Sequence, residues 1–542
     1  MSSNTQIGRL LAARFAPFDG TPHSEGRVVF WHDEAGEFSD ELDSIVGPEA
    51  ENEALHDVEL VRLESNPFAL KYRIMLAEPT TKFLVYVEGK LPADEDNWLL
   101  DLEIAYGPWF TADKLSMILN ELFPREASAE TRRDWLAIMQ RCKPFFDDDD
   151  LVQALQQRLR AEDDAKTFQA KMIASLLGLP VGEHSLQAIW RELLTQYAKD
   201  SARGIEAIDA MGLADYHWAG TRGIYRFDFG NQLNKPTVKD FVIWLFRLAW
   251  NGFSDAENSI DYYANVRRDF DTWRNNPKTT PVIQRLASEV FPDLSLDSTI
   301  ATMSLAELEQ HDVFSEVDEQ IVELLYEALD NADVTDEDVQ RIIAARRYGL
   351  WFSRFANDYD IIASASALRA MLRQCQPIVE SISSPQNGFE AYTNSLYQVD
   401  GCYRRFIAAW KIGSPSRDRD IADSLEREYS RYQSELGVAW QRQVGKMDSW
   451  AIAGVPSQAD FYMRNVKTVT DAHKKIAVII SDALRYEVAE EFCRKLNEQS
   501  RWTASITAQL STLPSYTQLG MAALLPHTDL SLDTNKHYYA VV

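Results

Sequence analysis

The hydrophobic residues of this chain follow three successive rhythms. Between about residues 26 and 125, short apolar runs alternate with segments whose apolar positions recur at helical spacing. "RVVFWHD" (Arg27–Asp33), "DVELVRL" (Asp57–Leu63) and "KFLVYVEG" (Lys82–Gly89) have the length and composition of strands. "NPFALKYRIMLAE" lies between the second and third and reads as a helix, with Asn66 as N-cap and Pro67 in its first turn. "NWLLDLEIAYG" fits a strand or a helix, and "TADKLSMILNELF" reads as a helix opened by Thr111. Strands separated by helices predict a small parallel α/β domain over residues 1–126.

From about Ala127 the apolar residues recur every three or four positions in one segment after another. "TRRDWLAIMQRC", "DFVIWLFRLAW" and "DSLEREYSRYQSELGVAWQRQV" are examples. Residues 127–472 are therefore expected to be mainly helical, with room for two subdomains meeting near Asn275–Pro281. No repeat period marks a solenoid.

At Lys474 the rhythm changes again, in "KKIAVIISDALRYEVAEEF". Ile476–Ile480 is the strongest buried-strand pattern in the chain, and it ends abruptly in Ser481 and Asp482. A helix, "ALRYEVAEEFCRKLNEQ", follows. "WTASITAQLST" reads as a second strand, and "SYTQLGMAALL" as a second helix with Pro514 in its entry turn. "HYYAVV" would open a third strand. Residues 473–542 are thus expected to begin another α/β domain.

Composition narrows the function classes. The chain has 542 residues, 45% of them hydrophobic, with 83 acidic and 55 basic residues and a net charge of -28. Such an excess opposes wholesale wrapping of nucleic acid, though it leaves room for a local basic groove or a metal-assisted phosphate site. Cys142, Cys375, Cys402 and Cys493 lie far apart without C-x-x-C spacing, which fits a reducing compartment. The N-terminus lacks the apolar core of a signal peptide, and no apolar stretch approaches ~18 residues. These features predict a soluble cytoplasmic protein with no membrane partner.

Asp482 is the first candidate for chemistry. A carboxylate at the carboxyl end of an apolar strand can ligate a divalent metal; equally, Ser481 or Asp482 can simply N-cap the next helix. Arg485 could pair with Asp482 in either case. Thr512, between a strand and a helix start, is the second. Helix-start amides favour a phosphate, and a metal-activated hydroxyl there is a nucleophile. An ST-turn or cap is the alternative use of Thr512, and Ser511 and Ser515 compete for either role. Three further patterns read as structural. Asp147–Asp150 would complement a helix N-terminus, His32 and Asp33 would sit in a polar loop after the first strand, with a receiver-like pocket as the alternative, and Ser416–Asp420 would start a solvated helix.

"VIISDALRYEVAEE" with "STLPSYTQLGMAALLP" resembles the PglZ family of BREX bacteriophage-exclusion systems, as do "VVFWHDEAGEFSDEL", "FALKYRI" and "NWLLDLEIAYG" nearer the N-terminus. The resemblance implies an alkaline-phosphatase-superfamily domain in which Asp482 binds metal and a Ser or Thr attacks phosphorus. "TLPSYTQLGMAALLP" is also similar to a stretch of nucleotide pyrophosphatase/phosphodiesterases whose leading Thr reacts, which points to Thr512, bridging substrate and metal. The same relatives imply a phosphate-contacting Asn, matched loosely by Asn535, which could also be a turn residue. Zinc is the superfamily habit, with manganese or magnesium as alternatives; diesters, nucleotides or nucleic acid are the implied substrates, and other BREX proteins the implied partners. In the superfamily further Asp and His ligands come from later strands. After Asp482 this chain offers His527 and His537, so a longer protein cut at Val542 is the expectation. A non-catalytic scaffold docking other BREX components is the competing expectation, and a nucleotide sensor built on residues 1–125 a third.

Overall fold

The three apolar runs of the N-terminal region pair as parallel strands in a computed structural model of the chain. They are β1 (Val28–Asp33), β2 (Val58–Arg62) and β3 (Lys82–Glu88); with the two-residue β4 (Phe110–Thr111) the sheet order is β2-β3-β1-β4. The structure describes residues 3–530 apart from 64–65, 91–95, 107–108, 112–113, 123–128, 229–234, 331–333 and 414–418. The chain falls into two units, Met1–Leu286 and Ala287–Val542.

The strands are apolar on consecutive positions because both faces of the sheet are covered. Val29, Trp31, Leu84 and Tyr86 pack with Ile7, Leu11 and Phe15 of the helix Ser3–Phe15. Val28, Phe30, Phe83 and Val85 pack on the other face with Leu70, Ile74 and Leu102. Leu70 lies on the helix Pro67–Tyr72, whose N-cap Asn66 accepts a hydrogen bond from the Ala69 amide at 3.0 Å. "NWLLDLEIAYG" resolves as a helix, Leu100–Tyr106, with Asp101 and Glu103 in its acidic first turn. Thr111 belongs to β4 and does not open the following helix, which runs Lys114–Leu122.

Asp33 ends β1 as a structural anchor. Its buried carboxylate accepts from the Tyr86 hydroxyl at 2.6 Å and the Phe38 amide at 2.9 Å. Burial, together with Asp33 itself, pushes the Tyr86 phenol well above its usual pKa, so it stays protonated and donating. Tyr86→Phe is expected to cost about 1.5–3 kcal/mol, the range for a hydrogen bond to a charged group. A urea midpoint equal to that of the parent protein would show that Asp33 does not depend on this donor. His32 is likewise occupied, its Nε2 lying 2.7 Å from the Gly89 carbonyl oxygen.

The rest of the first unit is helical, from Ala129–Arg141 to Ala264–Asn275. In the acidic run, Asp148 caps the helix Asp149–Gln156, accepting from the amides of Asp150 at 3.0 Å and Leu151 at 3.1 Å. The division between the units falls within the helix Thr280–Leu294.

The second unit is built on three long helices, α1 (Phe352–Glu380), α2 (Tyr397–Gly413) and α3 (Arg419–Val444). Ile362, Ala365 and Leu368 of α1, Val399 and Phe406 of α2, and Leu425, Tyr429 and Tyr432 of α3 form its interior. Two shorter helices follow, α4 (Tyr486–Asn497) and α5 (Thr517–Ala523). The four cysteines are free thiols.

The expected strand over Ile476–Ile480 does not form. These residues carry no strand assignment and are exposed, Ile479 at 92%. A run apolar on both faces is stable as a strand only with neighbouring strands and a covering layer on each side. Among the described residues, no strand lies beside it. The second expected strand, "WTASITAQLST", is reduced to one parallel bridge between Leu510 and Ser457. "HYYAVV" and Asn535 lie outside the described residues.

Candidate functional site

The segment from Ile476 to Asp482 reaches α4 through a sharp bend. Ala483, just after Asp482, takes the left-handed φ of 55°, a strained value for a residue with a Cβ. Helix α4 then starts at Tyr486 with Arg485 as its N-cap residue and no side-chain cap. Neither Ser481 nor Asp482 caps it, so the capping alternative falls. Asp482 is exposed, and its Oδ1 accepts from the Thr517 hydroxyl at 3.3 Å. The carboxylate is thereby brought to the first residue of α5.

Thr512 is held differently. Its backbone amide donates to Gln458 Oε1 at 3.1 Å, and its hydroxyl donates to the same oxygen at 3.4 Å. Gln458 Nε2 in turn donates to the Gly520 carbonyl oxygen of α5 at 3.2 Å. A Cβ at position 520 would lie 3.3 Å from that nitrogen, so the glycine lets the amide close on the helix. The Ser511 carbonyl accepts from Trp450 Nε1 at 2.6 Å, and Ser515 is exposed. Gln458 is the contact of Thr512 that the sequence reading missed; a lone Gln in "PSQADF" carries no periodic or motif signal. Among the described residues no hydrogen bond joins Asp482 to Thr512; the two are related through α5.

Arg485 does not pair with Asp482. Its Nη2 meets Asp400 Oδ1 at 3.3 Å and its Nε meets Glu487 Oε1 at 3.1 Å. Asp400 is buried on α2 and accepts from the hydroxyls of Tyr392 at 2.8 Å and Tyr429 at 2.6 Å. Burial and the adjacent carboxylate raise both phenols above their ordinary pKa, which keeps them as donors. Tyr486 adds edge contacts to Tyr392 and Tyr397, with ring centroids 6.1 and 5.2 Å away. Helix α4, and with it the loop bearing Asp482, is thus moored to α2.

Glu491 completes the mooring. It accepts from Arg404 of α2 and pairs with Lys495 at 2.7 Å. Its pKa is held down at about 2 by hydrogen bonds from Lys495 and then Arg404, against the effect of burial. A carboxylate with a lowered folded-state pKa stabilises above its unfolded pKa and loses that contribution as pH falls through the folded one. The docking of α4 should therefore weaken between about pH 4.5 and pH 2. Glu491→Gln should lower Tm at pH 7 and show a smaller Tm drop on acidification; an unchanged drop would place the acid sensitivity elsewhere.

Divalent cations accept the oxygen donors present here, the Asp482 carboxylate and threonine hydroxyls. Among the described residues no group of three or more His, Cys, Asp or Glu side chains gathers to hold a metal. His527 is half-buried, with Nδ1 2.8 Å from the Leu525 carbonyl oxygen. The set fits a metal in part, and a closed site requires further ligands.

Comparison with known proteins places this region. Residues 461–541 match the BREX system PglZ alkaline phosphatase-like domain. The chain is 26% identical over 546 residues to the alkaline phosphatase-like protein PglZ of Bacillus cereus (strain H3081.97), covering 98% of the chain and 61% of that protein. It is 28% identical over 545 residues to the alkaline phosphatase-like protein BrxZ of Escherichia coli O9:H4 (strain HS), covering 94% of the chain and 60% of that protein. The chain therefore spans about 60% of the length of these curated relatives. No solved structure matches. Among the described residues no helix is long and apolar enough to cross a membrane. The resemblance read from the sequence thus extends along nearly the whole chain, and within it residues 461–541 are similar to the PglZ alkaline phosphatase-like domain.

Proposed function

We propose that this chain serves a BREX defence system in the bacterial cytoplasm, with residues 473–542 contributing to a metal-dependent phosphoester hydrolase. One observation supports this reading most directly. Asp482, in the loop before α4, is bonded to Thr517 at the head of α5, only five residues beyond Thr512 and inside the segment that matches the PglZ domain. In this reading Asp482 supplies a metal oxygen ligand and Thr512 is the nucleophile and a second oxygen donor. Asn535 contacts a phosphate oxygen. Bound zinc, or manganese or magnesium, would lower the pKa of a ligated hydroxyl and offset phosphate charge.

The residues of this chain do the rest. Gln458 accepts the Thr512 hydroxyl and fixes its direction; an amide cannot take the proton, so Gln458 positions and does not act as base. In the reaction Thr512 Oγ1 bonds phosphorus as its proton passes to solvent and the bond between phosphorus and the ester oxygen breaks, that oxygen leaving as an alkoxide that water protonates; water then attacks phosphorus and restores the threonine hydroxyl. The diesterase-like context favours phosphodiesters, hence nucleotides or nucleic acid, as an analogy. Hydrolysis of bis(p-nitrophenyl) phosphate by a protein of the relatives' length carrying this sequence tests the reading. Metal-dependent turnover lost in Asp482→Ala supports it.

A second reading, a scaffold for other BREX proteins, is favoured by an exposed apolar face in the first unit. Phe68, Tyr72, Met75 and Leu76 stand 50–71% exposed along one stretch, and Trp98 rests against Phe68 with ring centroids 4.8 Å apart. Exposed aromatic patches of this kind mark protein contacts. Absence of turnover alongside stable complexes with co-expressed BREX proteins would favour this second reading.

A further inference from the structure

We propose that the second unit contains a separate binding cleft for a small aromatic anion, a flat ring carrying a phosphate or carboxylate, as in a nucleoside monophosphate. The cleft has a volume of about 420 Å³ and lies between the segment Ile382–Tyr392, Asp400 of α2 and one face of α3, with Arg485 on its wall. That volume lies within the ~300–1,000 Å³ range of small-molecule sites.

The wall chemistry selects the ligand. Phe389, Trp440, Leu436 and Ile382 offer apolar and aromatic surface for a flat ring. Two glycines shape the space. At Gly388 a Cβ would meet Ile382 Cγ2 and Trp440 Cε3 at 3.1 Å, so only glycine lets the indole lie against the helix backbone. At Gly437 a Cβ would meet nothing within 4 Å, and this position leaves the cleft open.

The polar groups of the lining are mostly turned to one another. Tyr392 donates to Asp400, Tyr432 donates to the Leu396 carbonyl at 3.0 Å, and Gln433 donates to the Tyr429 hydroxyl at 2.9 Å. Asp400 is 7% exposed and already serves two phenols and Arg485. Arg485 is the charged lining group that meets solvent, with its side chain 54% exposed. Its contacts with Asp400 and Glu487 balance its charge but use only part of its five N–H donors, so an anion is held here by the remaining directed N–H groups and not by net charge. A planar guanidinium at the edge of an aromatic cleft is suited to two oxygens of one anionic group.

Calorimetric titration of the intact chain tests this, with adenosine 5′-monophosphate as probe and EDTA present to silence any metal site. Saturable one-to-one binding is expected, with adenosine weaker by about 10-fold or more because it lacks the charge-assisted bonds. Gly437→Leu should abolish binding. Leucine is a better helix former than glycine, so the variant should fold with an undiminished Tm. Asp482→Ala and Thr512→Ala should bind as the parent does, which separates this cleft from the hydrolase reading. No saturable binding, or binding indifferent to Gly437→Leu, overturns the proposal.

Discussion

Asp318→Ala is expected to be among the most destabilising single substitutions in the second unit, costing about 3–5 kcal/mol. Asp318 lies on the helix Ser315–Asp330 with its side chain 1% exposed, and Arg346, ending the helix Asp336–Arg346, is 4% exposed. The guanidinium grips the carboxylate with two nitrogens, Nε at 3.0 Å and Nη2, while Nη1 donates to the His311 carbonyl at 2.7 Å. Tyr359 of α1 donates its hydroxyl to the same carboxylate at 2.6 Å. One acid thus ties three helices. Burial opposes charge on Arg346, but Asp318 outweighs it and keeps the arginine pKa above its ordinary value. Removing the acid leaves a buried cation and a buried phenol without their partner, the costly half of the cycle. Combining Asp318→Leu with Arg346→Met and Tyr359→Phe should recover most of the loss, since no buried charge then remains. Urea unfolding and hydrogen exchange along the helix Ser315–Asp330 report the outcome. A loss under about 1 kcal/mol for Asp318→Ala would mean that water reaches Arg346 in solution.

What the sequence disclosed divides along the same line between local and distant partners. β1 and β3 were legible because both sheet faces are buried, so consecutive residues had to be apolar. Asn66 and Asp148 were legible because a cap acts within three residues of itself. "NWLLDLEIAYG" stayed ambiguous because its single buried helical residue, Leu102, leaves too weak a period. Ile476–Ile480 misled for the opposite reason: its pattern is strong, but a strand needs partners that the pattern does not name, and none stands beside it among the described residues.

The site shows the same division. Asp482 stood out because an apolar run ends on it, and PglZ-like motifs gave it a role. Its bond to Thr517 spans 35 residues, and no spacing rule points to it. Arg485 was matched to Asp482 on the assumption that a helix joined them; the helix starts one residue after Arg485, which frees the side chain to turn towards α2. Buried Arg27, which donates to the carbonyl oxygens of Pro22, Thr81, Ile74 and Glu78 and to the Tyr106 hydroxyl, was equally invisible because its acceptors, mostly backbone atoms, are scattered along the chain. Gln458 belongs with it.

Thr512→Ala should lower phosphodiester turnover by about 10³-fold or more if this hydroxyl is the nucleophile, since a lost nucleophile removes the covalent route altogether. Thr512→Ser keeps an Oγ on the same backbone and should retain part of the rate, at the cost of a less restrained rotamer. Thr517 is the control that the geometry demands, because its hydroxyl, and not that of Thr512, touches Asp482. If Thr517 only orients the carboxylate, Thr517→Ala should cost about 10-fold, a typical effect for a residue that supports a ligand, and should weaken metal affinity in parallel. Gln458→Ala should fall between the two, loosening Thr512 without removing it. The ordering of the three variants carries the argument. An inactive Thr517→Ala variant beside a Thr512→Ala variant that still turns over would move the proposed nucleophile five residues along the chain, to the threonine already in contact with the acid.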